Sequence, residues 1–197
     1  MRPLARALAG FHPNTITCVA LATGLMAGAC FWATHIHPAF FFLGGALVAV
    51  SGVLDSLDGM VARMHGRSSR AGDFLDHFFD RLVNIAIALG LSLSPGADLR
   101  LGLAMTILMV LNSYMGTQIQ ASFGKRFYTG LGKAEMFVGL VLASVILGLF
   151  PNLSIPFAQR SVEFVNVLLL LVGVSSVLGI VHRFRLGLRL AGGAGEE

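Results

Sequence analysis

The residues best suited to chemistry are aspartates gathered in one short part of the chain. Half of the ten acidic residues fall between positions 55 and 80, although apolar runs flank this segment on both sides. They are Asp55, Asp58, Asp73, Asp76 and Asp80. A carboxylate placed in hydrocarbon costs roughly 2.5–3.5 kcal/mol, so several of them close together need a positive partner. The pattern therefore indicates a site for cations at the edge of a membrane.

The spacing of four of these aspartates predicts two facing half-sites. Asp55 and Asp58 share one face of a helix, and Asp76 and Asp80 share a face of the next, because residues three or four apart lie together on a helix. The segment MHGRSSRAG forms a turn between them. Oxygen ligands without His or Cys suit Mg²⁺ or Mn²⁺, and four carboxylates could hold two ions, as in enzymes of phosphorus chemistry. Asp73 is interpreted as a first-turn residue of the second helix.

Small residues beside the aspartates predict room for a substrate. Gly59 and Ala62 follow Asp58, so a groove without large side chains opens there, wide enough for a flat base or a diphosphate. Arg63 comes next, and its guanidinium can form two parallel hydrogen bonds with phosphate oxygens. Gly72, just before the second acidic face, permits a close backbone approach.

The composition predicts an all-α integral membrane protein. The 197 residues are 55% hydrophobic and 12% charged, and the mean hydropathy is +0.79, whereas soluble domains carry about 25% charged residues. A membrane-spanning helix needs about 20 mainly apolar residues. On this basis the sequence predicts six spanning helices, at 14–34, 38–62, 72–91, 99–122, 131–150 and 157–181.

The two chain ends are predicted to differ from the spans. Residues 1–10 carry Arg2 and Arg6 on a short amphipathic pattern, which predicts a helix lying on the membrane surface. Residues 191–197, with the sequence AGGAGEE, are predicted to form a disordered tail. Residues 1–190 are therefore predicted to form a single membrane-embedded domain.

The distribution of basic residues predicts the orientation. With the N-terminus in the cytoplasm, twelve of the fourteen Lys and Arg residues lie in cytoplasmic segments, and only Arg100 and Arg160 lie outside. Both termini and the aspartates are then on the cytoplasmic side of a multi-pass protein of the cell membrane. The pI near 9.7 is explained by this topology and by anionic lipid, so no nucleic-acid partner is expected.

The aspartate segment resembles the signature of the CDP-alcohol phosphotransferase family, D-x2-D-G-x2-A-R-x8-G-x3-D-x3-D. The fixed positions are all present, as Asp55, Asp58, Gly59, Ala62, Arg63, Gly72, Asp76 and Asp80. The segment PNTIT at 13–17 is similar to a P-N-x-x-T segment of the family. Six spans after a surface helix also match the family, so the resemblance covers most of the chain.

This resemblance implies an enzyme of phospholipid biosynthesis. Members transfer a substituted phosphate group from a CDP-linked lipid, such as CDP-diacylglycerol, to the hydroxyl of a small polar alcohol and release CMP. The resemblance implies that the four paired aspartates bind two Mg²⁺ or Mn²⁺ ions and that Asp80 is also the general base. The residues it places against the CDP-lipid are Asn14, Thr15, Ile16, Thr17, Gly59, Ala62, Arg63 and Ser69. Members are commonly homodimers, so a homodimer surrounded by membrane lipid is expected.

The sequence predicts the donor but leaves several acceptor alcohols open. Ser113, Tyr114 and Glu135 resemble a segment of the branch that makes phosphatidylinositol phosphate. That branch has basic residues, expected to bind the acceptor's phosphate, where this chain has Gly116 and Gln118. Inositol phosphate, glycerol phosphate and a neutral acceptor therefore remain alternatives. The predicted acceptor-binding residues are Arg126, Lys133, Arg183 and Arg185.

Two other classes of protein also place acids in membrane helices. Membrane prenyltransferases bind a Mg²⁺-diphosphate through aspartate pairs, but they need more spans and a different spacing. Cation or proton transporters use intramembrane carboxylates, which would favour acids spread near the middle of the bilayer. Here the acids cluster at one face beside Arg63, so transfer from a CDP-linked lipid is the preferred hypothesis.

Overall fold

A computed structural model shows six helices and one β-hairpin in the part of the chain that it describes. The described residues are 4, 10–11, 13–64, 70–124, 133–157 and 160–193. The helices are α1 (Pro13–Ala33), α2 (Phe40–Met64), α3 (Arg70–Ser92), α4 (Leu99–Phe123), α5 (Lys133–Leu149) and α6 (Phe164–Gly193), and the strands are β1 (Ser154–Phe157) and β2 (Arg160–Glu163).

Four of these helices are long and apolar enough to cross a membrane. Their qualifying segments are Asn14–Ala33, Phe40–Met64, Leu99–Phe123 and Phe164–Gly192. In α3 the charges of Asp76, Asp80 and Arg81 lie well inside the helix. The apolar part of α5, Met136–Leu149, is shorter than a span. The sequence predicted six spanning helices. By length and composition, four helices of the described chain qualify.

A β-hairpin between α5 and α6 corrects the all-α prediction. The two strands pair in antiparallel register, from Ser154 opposite Glu163 to Phe157 opposite Arg160. The sequence placed the start of the last span at 157, but the charges of Arg160 and Glu163 belong to the hairpin, and the helix starts only at Phe164. A four-residue strand between two apolar helices has too little alternation to be seen in the sequence.

The predictions for the chain ends fall mainly on residues that the structure does not describe. Of the predicted surface helix at 1–10, only Leu4 and Gly10 are described. At the other end, α6 continues to Gly193, so residues 191–193 of the predicted tail are helical, and 194–197 lie outside the described residues.

The helices pack as two groups that share one core. α1 packs against α2 and α3, α5 packs against α2, and α4 packs against α6. Their buried core residues are Ala27, Phe31, Phe41, Val48, Val83, Ile87, Leu91, Leu147, Val165 and Leu169. Large apolar side chains on the outside, such as Ile107, Leu171 and Leu178, are more than half exposed, as expected for a surface that meets lipid.

Glycines bring the backbones of α1 and α3 into direct contact. A Cβ atom added at Gly28 would lie 2.5 Å from the carbonyl oxygen of Ala86, and one added at Gly90 would overlap the carbonyl oxygen of Gly28. The Ser51 hydroxyl donates a hydrogen bond of 2.8 Å to the carbonyl oxygen of Ala20, which ties α2 to the same face of α1. Helix α1 is therefore the support against which the two aspartate-bearing helices are set.

Hydrogen bonds at the other end of the bundle fix α4 relative to α6. Asp98 caps α4, since its carboxylate accepts from the backbone N–H groups of Arg100 and Leu101. The Asn166 side chain of α6 donates to the carbonyl oxygen of Gly96 and accepts from the N–H of Asp98. These bonds hold the ends of the helices opposite to the aspartates.

The substitution Gly28→Val is expected to destabilise the protein, because the carbonyl oxygen of Ala86 belongs to the backbone and cannot move away. Overpacking of this kind costs about 1–3 kcal/mol of unfolding free energy, which thermal unfolding in detergent would detect as a lower Tm. The matched control is Gly187→Val in α6, where an added Cβ meets no atom within 4 Å. Equal Tm values for Gly28→Val and the native protein would contradict the α1–α3 contact.

Candidate active site

Three aspartates from two helices converge at one end of the bundle. Asp55 of α2 and Asp76 and Asp80 of α3 each offer one carboxylate oxygen, and these three oxygens lie within 4.8 Å of one another. All three residues are partly buried. They meet because α2 ends and α3 begins at this end of the bundle and both helices rest on α1.

Asp58, the fourth predicted ligand, lies beside this cluster rather than in it. It is only 6% exposed, and it is near enough to Asp55 and Asp76 for the like charges to interact. The Thr17 side chain of α1 forms a hydrogen bond with Asp58. Its other oxygen, Oδ2, is buried without a hydrogen-bond partner. A buried carboxylate oxygen without a partner is costly, so a cation beside Asp58 would relieve both this cost and the repulsion.

The residues present fit a divalent metal ion such as Mg²⁺ or Mn²⁺. The donor set is made of carboxylate oxygens, which these hard cations prefer. The unpartnered oxygen of Asp58 points to the same requirement for positive charge. His77 lies beside the cluster, with its Nδ1 3.7 Å from the Asp76 carboxylate, and an imidazole supplies a charge only when protonated.

A small pocket beside the cluster connects it to α1. Asp55 and Asp80 line this pocket together with Thr17, Ser51 and Phe137. Of the predicted donor-binding segment of α1, Asn14 and Thr15 are exposed and Thr17 faces the pocket. Ile16 behaves differently, because its side chain is 4% exposed and packs with Leu57 and Val61. Only the backbone of Ile16 is therefore available to a substrate.

The predicted small-residue groove lies on α2 next to Asp58. A Cβ added at Gly59 would lie nearest to the guanidinium of Arg63, at 3.4 Å, which folds back along the helix. Arg63 is exposed and Ala62 is half-buried. Ser69, the remaining predicted donor contact, lies outside the described residues.

The family model for the CDP-alcohol phosphatidyltransferases matches residues 11–178. The chain belongs to this family. The match includes α1 to α5 and the first half of α6, and so contains all four paired aspartates. Membership confirms the resemblance found in the sequence and sets aside the prenyltransferase and transporter alternatives. With four helices that can span a membrane, this CDP-alcohol phosphatidyltransferase is a multi-pass membrane protein.

Curated relatives of this chain are named as synthases of inositol-phosphate lipids. It is 35% identical over 106 residues to the archaetidylinositol phosphate synthase of Pyrococcus horikoshii, which is 54% of this chain and 52% of that protein. It is 33% identical over 153 residues to the phosphatidylinositol phosphate synthase of Mycobacteroides abscessus, covering 73% of this chain and 67% of that protein. The chain thus matches about half the length of the archaeal relative.

Solved structures show the same fold. The apo crystal structure of Mycobacterium tuberculosis phosphatidylinositol phosphate synthase has a TM-score of 0.70 and 25% identity, and covers 93% of each chain. The structure of that enzyme with CDP-DAG bound has a TM-score of 0.73 and 24% identity, and covers 94% of this chain and 92% of that one.

The residues predicted to bind the acceptor of this CDP-alcohol phosphatidyltransferase are only partly described. Arg183 of α6 is half-buried, and its Nη1 donates to both the backbone and the side-chain oxygen of Asn112. Arg185 is exposed and, two residues further along the helix, lies on the opposite side from Arg183. Lys133 begins α5, but its side chain is outside the described part, as is the whole of Arg126.

Asn112, the partner of Arg183, is a site residue that the sequence pattern did not indicate. The contact joins α4 to α6 across 71 positions, and no spacing rule links residues so far apart. The only available signal is that Asn112 precedes Ser113 and Tyr114, which resemble the branch that makes phosphatidylinositol phosphate.

Proposed function

We propose that this protein transfers a phosphatidyl group from a CDP-linked lipid, such as CDP-diacylglycerol, to the hydroxyl of a small polar acceptor and releases CMP. The observation that carries the proposal is the meeting of Asp55, Asp76 and Asp80 at one end of a membrane bundle. A cluster of acids bound to one or more divalent cations attracts the diphosphate of such a donor. Family membership supports this reaction class.

An apolar groove beside the cluster suits the lipid part of the donor. The groove has a volume of about 490 Å³ and lies between α2 and α5. It begins at Asp55 and Ser56 and continues over apolar residues such as Val48, Val53 and Val141. A lipid can therefore have its diphosphate at the aspartates and its acyl chains in the bilayer. The relative from Mycobacterium tuberculosis has been crystallised with CDP-DAG bound, which supports a donor of this kind.

Asp55, Asp58, Asp76 and Asp80 would hold two Mg²⁺ or Mn²⁺ ions. When bound, such ions neutralise the diphosphate and stabilise the charge that develops on the leaving CMP. The choice of metal is supported by the oxygen-only donor set and by a crystal structure of the Mycobacterium tuberculosis synthase in complex with manganese and citrate.

Protein side chains would position the donor and move the proton. Arg63, Gly59 and the Asn14–Thr17 segment lie around the aspartates and would orient the CDP group. Asp80 would accept the proton of the acceptor hydroxyl while the hydroxyl oxygen forms a bond to the lipid-linked phosphorus. The bond from that phosphorus to the bridging oxygen then breaks, and the electron pair leaves with CMP.

The acceptor is proposed to carry a phosphate, as inositol phosphate or glycerol phosphate does. Arg183 lies near Arg81, which follows Asp80 on α3, and Arg185 follows on the same helix. Lys133 begins α5, and Arg126 is proposed from the sequence alone. The names of the relatives support inositol phosphate in particular.

The wider organisation is proposed from the sequence. Residues 1–190 would form one domain with six spans, both termini and the active site would face the cytoplasm, and two copies would form a homodimer in the membrane. The excess of basic residues in the segments at the aspartate end supports this orientation.

A panel of acceptors tests the proposal. Purified protein with CDP-diacylglycerol and Mg²⁺ is expected to release CMP when inositol 1-phosphate or glycerol 3-phosphate is present, and to release none with inositol, glycerol or serine. Chromatography of CMP and of the lipid product gives the readout. If no CMP is released with any of these acceptors, and none with other CDP-alcohols as donors, the proposed reaction is contradicted.

A further inference from the structure

A second apolar cavity lies on the other side of α5 from the groove between α2 and α5. It has a volume of about 400 Å³ and is lined by residues of α3, α4, α5 and α6. Ile146 of α5 and Leu171 of α6 line this cavity and are also exposed. The cavity is therefore open to the bilayer between these two helices, and a lipid chain can enter it from the side.

Phe137 of α5 connects this cavity to the aspartates. Its side chain lines the cavity, the groove beside α2 and the small pocket that contains Asp55 and Asp80. The Phe137 ring packs against Gly52 of α2, where an added Cβ would lie 2.5 Å from the ring carbon Cδ2. A two-chain lipid with its diphosphate at the aspartates therefore meets apolar space on both sides of α5.

The length of the cavity matches one hydrocarbon chain. Along α5 the cavity extends from Met136 to Ile146, which corresponds to about 15 Å at a rise of 1.5 Å per residue. The hydrocarbon core of a bilayer is about 30 Å thick, so a chain in one leaflet extends over about 15 Å. An acyl chain in the leaflet on the aspartate side is therefore the occupant that fits.

Asn84 presents an amide to this cavity. It lies four residues after Asp80 on α3, which places it one helical turn, or about 6 Å, further into the membrane. It is half-buried, and its amide forms no hydrogen bond with the rest of the described chain. The hydroxyls of Thr106 and Ser175, which also line the cavity, donate to carbonyl oxygens of their own helices. A ligand that brings a hydrogen-bond acceptor to Asn84 would offset the cost of placing this amide among apolar groups.

We propose that the cavity binds one acyl chain of the donor and that Asn84 donates a hydrogen bond to the ester carbonyl of that chain. Asn84 is then a specificity-determining residue that selects a diacyl donor over a dialkyl ether donor. This inference rests on the proposed function and extends it by naming the class of donor lipid. The ester carbonyl is only a few bonds from the diphosphate, which fits the single turn between Asp80 and Asn84. An ether has no carbonyl and leaves the amide unpaired.

Binding of two soluble donors tests the role of Asn84 without catalysis. CDP-dioctanoylglycerol and its dioctyl ether analogue are each titrated into the full chain in detergent with Mg²⁺, and calorimetry gives the Kd values. The native protein is expected to bind the ester about three- to tenfold more tightly, which is the effect of one neutral hydrogen bond. Asn84→Leu keeps the approximate size of the side chain and removes the amide, so its two Kd values are expected to agree within about twofold.

A leucine at position 139 tests the cavity itself. Gly139 lines the cavity, and an added Cβ meets no atom within 4 Å, so Gly139→Leu narrows the space without a clash. Because each buried methylene contributes about fourfold in affinity, this variant is expected to weaken binding of both donors at least about fivefold and to keep the preference for the ester. The matched control is Gly187→Leu, at an equally open position of α6 outside the cavity. It is expected to bind both donors like the native protein.

Turnover provides a readout that general damage to the fold would not reproduce. Asn84→Leu is expected to raise the KM for the ester donor about three- to tenfold, again by the loss of one neutral hydrogen bond, and to leave the acceptor KM within about twofold. The KM for the ether donor is expected to stay within about twofold of the native value, because that donor makes no hydrogen bond that the substitution removes.

The possible results distinguish this inference from the proposed function. Equal Kd values of the two donors for the native protein, an unchanged ester preference in Asn84→Leu, or native affinity in Gly139→Leu would each overturn the inference, even if CMP is released normally. A native protein that prefers the ester but releases no CMP with any acceptor would contradict the proposed reaction and support the binding site. If the native protein binds neither donor, the proposed function fails and the inference fails with it.

Discussion

Asp80→Asn is expected to lower the rate of CMP release about 10³-fold or more. Asparagine keeps the size of the side chain, so the packing of α3 on α1 is retained. It lacks the basic oxygen that would take the acceptor's proton, and general base catalysis alone contributes about 10²- to 10⁴-fold. It also removes one negative charge from the three oxygens that lie within 4.8 Å of one another, which weakens the metal site. The measurement is the initial rate of CMP formation at saturating CDP-diacylglycerol and acceptor.

Asp98→Asn provides the matched control for this change. Asp98 caps α4 at the opposite end of the bundle by accepting from two backbone N–H groups, and asparagine is an equally good cap. We expect Asp98→Asn to retain native activity and Tm. An Asp80→Asn enzyme with more than about a tenth of the native rate would contradict the role of Asp80 as general base, since that role requires a larger loss.

Removal of divalent cations is expected to lower the rate of CMP release by a similar factor. Three carboxylates that share a site repel, and Asp58 adds a buried oxygen without a partner. Without a cation the cluster would also repel the donor's diphosphate. Stabilisation by a bound metal is worth several kcal/mol, which corresponds to about 10³-fold or more in rate. Dialysis against a chelator followed by the CMP assay measures the loss, and Mg²⁺ or Mn²⁺ should restore the rate.

The metal dependence of variants at single carboxylates tests this prediction more specifically. Asp55→Asn should raise the Mn²⁺ concentration needed for half of the maximal rate, because it removes a carboxylate that α2 contributes to the cluster. Glu163→Gln, in the hairpin at the other end of the bundle, should leave that concentration unchanged. Full activity after exhaustive removal of divalent cations would show that the cluster does not work through a metal.

The aspartate site was largely predictable from the sequence because it is built locally. Asp55 lies near the end of one helix and Asp76 and Asp80 lie near the start of the next, and only residues 65–69 separate the two helices in the sequence. The helical period fixes which residues share a face, and two helices that follow each other so closely in the sequence place these faces at the same end. No information about distant parts of the chain was needed.

The features that the sequence did not predict depend on contacts between distant helices. The bond from Arg183 to Asn112 joins positions 71 apart, and neither residue has a local pattern that indicates the other. The hydrogen bond between Thr17 of α1 and Asp58 of α2 likewise joins residues that are far apart in the sequence. The hairpin at 154–163 was missed because its strands have only four residues each.

Phosphorus NMR of one reaction mixture tests the central claim most directly. The purified native protein is incubated with CDP-diacylglycerol, Mg²⁺ and inositol 1-phosphate, and the resonances of donor, CMP and product are followed together. We expect CMP and a new phosphodiester lipid to appear in equal amounts as the donor disappears, and neither to appear with Asp80→Asn. CMP formed without the new lipid, or equal conversion by the native and Asp80→Asn proteins, would contradict transfer by the aspartate site.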